Sequence, residues 1–111
     1  MKSQKPPNPL LHGTLDALIL KTLSHGGRHG YGIARWLEET TGGSLQIGEG
    51  SLYPALYRME RRGWIQAEWG LTELGRKAKF YRLTERGHEQ LEHEISRWRE
   101  FAAAVSKILW S

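Results

Sequence analysis

The sequence predicts a mainly α chain with one small β-hairpin and a long C-terminal helix, on three observations. An apolar stripe at helical spacing runs through Leu52, Ala55, Leu56, Met59 and Gly63. Directly behind it, residues 64–83 form two alternating runs about a glycine-bounded turn, as a hairpin does. From Leu91 onward apolar residues return every three or four positions almost to the end of the chain.

A chain of 111 residues is one domain with room for a modest core. It has no cysteine, which excludes a disulfide framework and thiolate zinc, and fits a reducing cytoplasm. The net charge of +4 is unevenly placed. Residues 1–47 carry five Lys or Arg against three acids, residues 48–87 eight against five, and residues 88–111 three against four. The excess therefore lies away from the last helix, as expected if that helix meets protein and the hairpin meets phosphate. The start, MKSQKPPNP, is polar and proline-rich and does not read as a signal peptide. No apolar run approaches the roughly 18 residues a membrane span needs, so a cytoplasmic protein without a membrane partner is expected.

Residues 1–8 read as a flexible tail, residues 9–84 as the helical and hairpin body, and residues 85–111 as the terminal helix. The first helix runs roughly from Leu10 to Ser24 on the stripe Leu15, Leu18, Ile19 and Leu23, and Gly26-Gly27 stops it. His25 and His29 in the next loop have no suitable third ligand nearby, so no metal is expected. A second helix spans Tyr31 to about Thr41, with Ile33, Ala34 and Leu37 inward, and Gly42-Gly43 ends it. Residues 44–50 form an extended connector, in which Ser44, Leu45 and Ile47 are candidates for a short third strand.

The third helix opens at Ser51 as N-cap, with Pro54 near its start. Opposite its apolar stripe lie Ser51, Pro54, Tyr57, Arg58 and Arg61, with Tyr53 on the shoulder, an arc holding base and no acid. Tyrosines and proline are uncommon on a merely solvated face, so contact with phosphates and base edges explains the arc better. In the hairpin, Ile65 and Ala67 alternate with Gln66 and Glu68, residues 70–75 make the tip, and the return strand carries Arg76, Lys77, Lys79, Tyr81 and Arg82. Basic residues interleaved with aromatics suit a nucleic-acid groove. They also suit protection of an edge strand from stray pairing. A basic helix followed at once by a basic hairpin is the pattern of a recognition helix and its wing, hence a winged helix-turn-helix.

Thr84 is the expected N-cap of the last helix. Leu91, Ile95, Trp98, Ala102, Val105 and Leu109 form a heptad seam, widened by Phe101 and Ile108. About 25 residues make a helix of about 37 Å, longer than a small body can cover. The first two turns can pack on their own domain; the remaining stripe is expected to make a homodimer.

The segments GSLYPALYRMERRG from Gly50, WI from Trp64 and GRKAKFYRLTERG from Gly75 closely resemble the PadR family of winged-helix transcriptional regulators. HGYGIARWLEE from His29 matches that family's second-helix signature, and the resemblance covers roughly residues 10–90. Two departures stand out: Lys77 and Ala78 replace the usual Pro-Arg of the wing, and Tyr57 stands where His is frequent. The resemblance implies a dimeric regulator, usually a repressor, on double-stranded palindromic DNA. Ser51, Tyr53, Tyr57 and Arg58 would enter the major groove, Pro54 would supply shape, and Arg58 would be the best bidentate guanine reader. Arg61 would contact phosphate, and Arg76, Lys77, Lys79 and Tyr81 would hold the wing on the backbone or in the minor groove.

By the same resemblance Tyr31 approaches a phosphate, with packing against the first helix as the alternative. Short members of the family also take flat hydrophobic effectors near an aromatic of the terminal helix. Trp98 would hold such a compound here, with plain dimer packing as the alternative. A winged helix used only for protein contact is a third possibility. No enzyme is expected: the sequence holds no Cys nucleophile, no G-x-S-x-G, no H-E-x-x-H and no phosphate-cradling glycine loop, and no cofactor is implied.

Overall fold

The computed structural model describes Leu11 and residues 13–111. The expected tail, residues 1–8, and the expected helix start at Leu10 lie outside the described residues. The elements are α1 (Leu15–Ser24), β1 (Arg28–His29), α2 (Gly30–Thr40), α3 (Glu49–Arg61), β2 (Ile65–Leu71), β3 (Lys77–Leu83) and α4 (Glu85–Leu109). The strands form one antiparallel sheet in the order β1-β3-β2. The architecture is thus mainly α with a hairpin wing, closed by a helix of 25 residues.

Helix α1 begins at Leu15 because Gly13, at φ +88°, turns the chain first, and the Thr14 amide and hydroxyl both donate to the Leu11 carbonyl. Leu20 is fully buried although it lies off the expected stripe, since α2, α3, α4 and β3 all pack around α1. Past its end, Arg28 donates to the carbonyls of Thr22 and Gly26 at 3.0 and 3.2 Å, a cation among helix C-terminal acceptors. His29 then caps α2, its Nδ1 accepting the Gly32 amide at 3.1 Å. Gly43, at φ +88°, closes α2 by donating its amide to the Glu38 carbonyl at 2.8 Å.

The third strand is not at Ser44–Ile47. Arg28 and His29 take that place, pairing with Tyr81 and Phe80 of β3, and they occupy the edge of β3 that the connector would have used. Leu45 and Ile47 serve the core instead. Helix α3 also starts earlier than expected. Gly48 is the N-cap, its carbonyl accepting the amides of Ser51 and Leu52, while Ser51 lies inside the helix and makes no cap bond. Pro54 therefore sits in the second turn, where its missing N–H leaves the Gly50 carbonyl without its usual donor. The apolar stripe is as expected: Leu52, Ala55, Leu56 and Met59 are buried.

Helix α3 ends in a Schellman turn. Gly63, at φ +79°, donates to the Glu60 carbonyl at 3.0 Å, and Trp64 donates to the Met59 carbonyl at 3.0 Å. The start of α4 is locked onto this turn. The Thr84 amide donates to the Trp64 carbonyl at 3.1 Å and its hydroxyl to the Gly63 carbonyl at 2.6 Å, while its Oγ1 caps α4 by accepting the Gly87 amide. Within the wing, β2 runs two residues further than expected, to Leu71, and Gly70 lies under the ring of Phe80. Ile65, Ala67 and Tyr81 turn one face of the hairpin into the core. Among the described residues no helix is long and apolar enough to cross a membrane.

Two outcomes follow from this packing. A Cβ on Gly87 would be driven into the backbone oxygen of Trp64, so Gly87→Ala should cost about 1–3 kcal/mol through overpacking. Gly50→Ala, which meets open space within a helix, should leave stability level or higher in the same denaturant titration. The second concerns Tyr81. Burial, then the Glu60 carboxylate and Tyr53, raise its phenol above the ordinary 10.0. A raised folded value leaves stability intact below about pH 10 and erodes it as pH climbs through that value. Phenolate absorbance should show one late ionisation that is missing in Tyr81→Phe, whose alkaline loss of stability should be shallower.

Candidate nucleic-acid interface

The buried stripe of α3 fixes what the helix presents outward. Tyr53, Pro54, Tyr57 and Arg61 are exposed, and Ser51 is half-buried. Tyr57 and Arg61, one turn apart, act as a unit: the guanidinium lies 5.7 Å from the phenol ring and donates to its oxygen at 3.3 Å. Tyr53 is placed by α2. Its ring covers Gly30 so closely that an added Cβ there would come within 2.7–2.9 Å of the phenol atoms. The glycine after His29 thus leaves the room that a tyrosine from α3 needs. Tyr31, in the first turn of α2, is 65% exposed and stacks loosely on His29, so it faces solvent and is not packed on α1.

Two of the basic side chains expected to be free are paired. Arg58 donates to Asp16 of α1 at 2.5 Å, with the carboxylate the more buried partner at 21% exposure against 42%. Arg58 is therefore not the open guanine fork that the sequence suggested; Arg61 lies nearer the middle of the outward arc. Asp16 carried no sequence signal of this role, because its partner is 42 residues away and the pairing needs the α1–α3 crossing. On the other flank, Lys79 of the wing lies 3.6 Å from Glu60 of α3. Arg76 and Lys77 are exposed.

Tyr81 requires a correction. It is 6% exposed, so it belongs to the core and does not reach into solvent with the wing lysines. The alternation explains this: Tyr81 stands opposite Ala67 on the core-facing side at the base of the hairpin, and Lys79 and Lys77 share that side farther out. The histidines of the first loop have structural partners, His29 at the α2 cap and edge-on to Phe80, and His25 5.2 Å from Trp36.

Along α4 the seam divides. Leu91 is buried and the half-buried Ile95 packs against the core, so these two serve the body of the chain. Trp98, Phe101, Ile108 and Leu109 are exposed, with Ala102 and Val105 half-buried between them. Trp98 and Phe101 form a tilted pair with centroids 6.1 Å apart. Trp110, beyond the seam, is also exposed, as are Trp69, Leu71 and Leu74 of the wing. Sequence reasoning passed over Trp69 and Leu71 because alternation shows which side of a strand a residue takes, not where the hairpin leaves the body.

A family model described as the transcriptional regulator PadR-like family matches residues 19–93. A Lysinibacillus sphaericus protein named only as uncharacterized protein X is 34% identical over 91 residues, covering 82% of this chain and 84% of its own. A transcriptional regulator from Clostridium thermocellum superposes with a TM-score of 0.82 at 27% identity, over 90% of this chain and 97% of that one. A PadR-like transcriptional regulator from Bacillus cereus gives 0.79 at 31% identity, over 94% and 99%. The winged helix, its exposed tyrosine–arginine face and these likenesses agree: the chain belongs to the PadR-like family of transcriptional regulators, and is a DNA-binding regulator rather than an enzyme.

Proposed function

We propose that the protein is a cytoplasmic repressor that binds a palindromic operator as a homodimer. The observation that carries this reading is the exposed Tyr53–Tyr57–Arg61 face beside a wing bearing Arg76 and Lys77. Ser51, Tyr53, Pro54, Tyr57 and Arg61 enter the major groove, Pro54 against a thymine methyl and Arg61, held by Tyr57 and, among the described residues, no carboxylate, to meet guanine O6 and N7. Tyr31, Arg76 and Lys77 engage phosphates. The exposed half of α4, with Trp98, Phe101, Ala102, Val105, Ile108 and Leu109, pairs with a second copy, because a monomer rarely leaves so continuous an apolar stripe in water. A two-fold pair then reads half-sites about 34–36 Å apart. The exposed Trp98–Phe101 pair also favours a second role, in which a flat hydrophobic effector binds against Trp98 near the two-fold axis.

Selection of bound sites from random DNA tests the reading. Arg61→Ala should relax one base pair of each half-site at a cost of about 1–3 kcal/mol. Lys77→Ala should weaken all duplexes alike and reduce the salt slope by about one for each phosphate no longer engaged. Equal loss on every sequence from both variants would refute the division of roles. In sedimentation, wild type should run as a dimer and Trp98→Glu as a single chain. That variant should also lose quenching by planar aromatic compounds; a wild type that sediments as one chain ends the dimer reading.

A further inference from the structure

Two carboxylates flanking the recognition surface are each paired with a cation that a DNA backbone would otherwise attract. Asp16 holds Arg58 on the α1 side, and Glu60 holds Lys79 on the wing side. Arg61 and Tyr57, between these flanks, pair with each other and, among the described residues, with no carboxylate. We propose that Asp16 and Glu60 are specificity-determining residues that act as intramolecular stand-ins for phosphate, suppressing attachment to arbitrary DNA. This inference rests on the DNA-binding reading above.

The physical argument is one of exchange. A free guanidinium or ammonium that meets a phosphate releases a condensed counterion from DNA, and that release drives sequence-independent binding. A cation already facing a carboxylate must surrender one anion to gain another, so its net contribution is small. Contacts to base edges from the centre of α3 are unaffected, because neither Arg61 nor Tyr57 has to leave a carboxylate. The paired flanks therefore lower affinity for every sequence, while the centre, which faces no carboxylate among the described residues, retains its preference for the correct one. The ratio between the two is what a regulator needs among many competing sites.

The Asp16–Arg58 pair is the stronger of the two masks, being shorter and less exposed than Glu60–Lys79, at 2.5 against 3.6 Å. An alternative role for it is a strut fixing the crossing of α1 on α3. The two roles predict opposite signs. Loss of a strut weakens binding, whereas loss of a mask strengthens binding to unrelated DNA.

The experiment measures affinity of the full chain for its selected operator and for a mixed-sequence duplex lacking it, over a range of salt, together with thermal unfolding. Asp16→Asn should bind the mixed-sequence duplex about threefold or more tighter, with a salt slope steeper by about 0.9 per subunit as Arg58 takes up one phosphate. Operator affinity should rise less, so the ratio falls. The gain should vanish in Asp16→Asn/Arg58→Gln, which separates unmasking of Arg58 from the general effect of one lost negative charge. Glu60→Gln should behave likewise against a Lys79→Gln background, and it decides the matter if Asp16→Asn melts below the assay temperature. Unchanged or weaker binding to mixed-sequence DNA, or a gain that survives removal of the cation, overturns the proposal. A wild type that binds no duplex removes the DNA reading as well, whereas normal operator binding without the variant effects removes the mask alone.

Discussion

The turn between α3 and β2 is the point on which the rest of the molecule depends. Within Gly63 and Trp64 the recognition helix ends, the wing begins and α4 is tied down. Gly63 takes the left-handed conformation that closes α3, and the carbonyls of Gly63 and Trp64 both receive hydrogen bonds from Thr84. Gly87 leaves room for the Trp64 carbonyl where any side chain would collide with it. Three elements that must keep a fixed mutual angle are thus joined through backbone atoms and the short hydroxyl of Thr84, not through long flexible side chains. Buried Leu56, Met59 and Ile65 back this joint with apolar contact, which fixes α3 and the root of the wing against one core.

Much of this was legible in the sequence because it follows from local periodicity. The stripe of α3, the alternation at the root of β2, the cap at Thr84 and the excess apolar length of α4 all depend on residues within a few positions of each other. What was not legible depends on distant parts meeting. Nothing near Arg58 reveals Asp16, and nothing near Tyr81 shows that its side of the wing root is core. The start of α3 was misplaced for a local reason: Ser51 and Pro54 make a good cap pattern, but the Gly48 carbonyl begins the helix before them. The third strand was misplaced for a topological one, since two residues after α1 reach the free edge of β3 before the connector can.

The same distinction governs the charge. Counting side chains gives a basic middle segment, but the fold decides which of those charges remain available. Arg28 is engaged by carbonyls in and just past the last turn of α1 and stacks 5.6 Å from Trp36; Arg62 lies 5.2 Å over Trp64. The exposed basic surface is therefore narrower than composition suggests, and centred on one turn of α3 with the tip of the wing beside it. Histidine shows the same economy. His29, inconspicuous as a lone imidazole, caps α2, supports Phe80 and adjoins the glycine over which Tyr53 rests.

Because α4 is one unbroken helix fastened at its first turn to the end of α3, it behaves as a stiff beam with the proposed recognition surface at its root. A swing of about 5° in such a beam, about 37 Å long, displaces its far end by about 3 Å. In the proposed dimer the reverse holds too: a small repacking among Trp98, Phe101 and their counterparts would re-aim both reading heads. Spacing between them would then be tuned from a location that never touches the double helix.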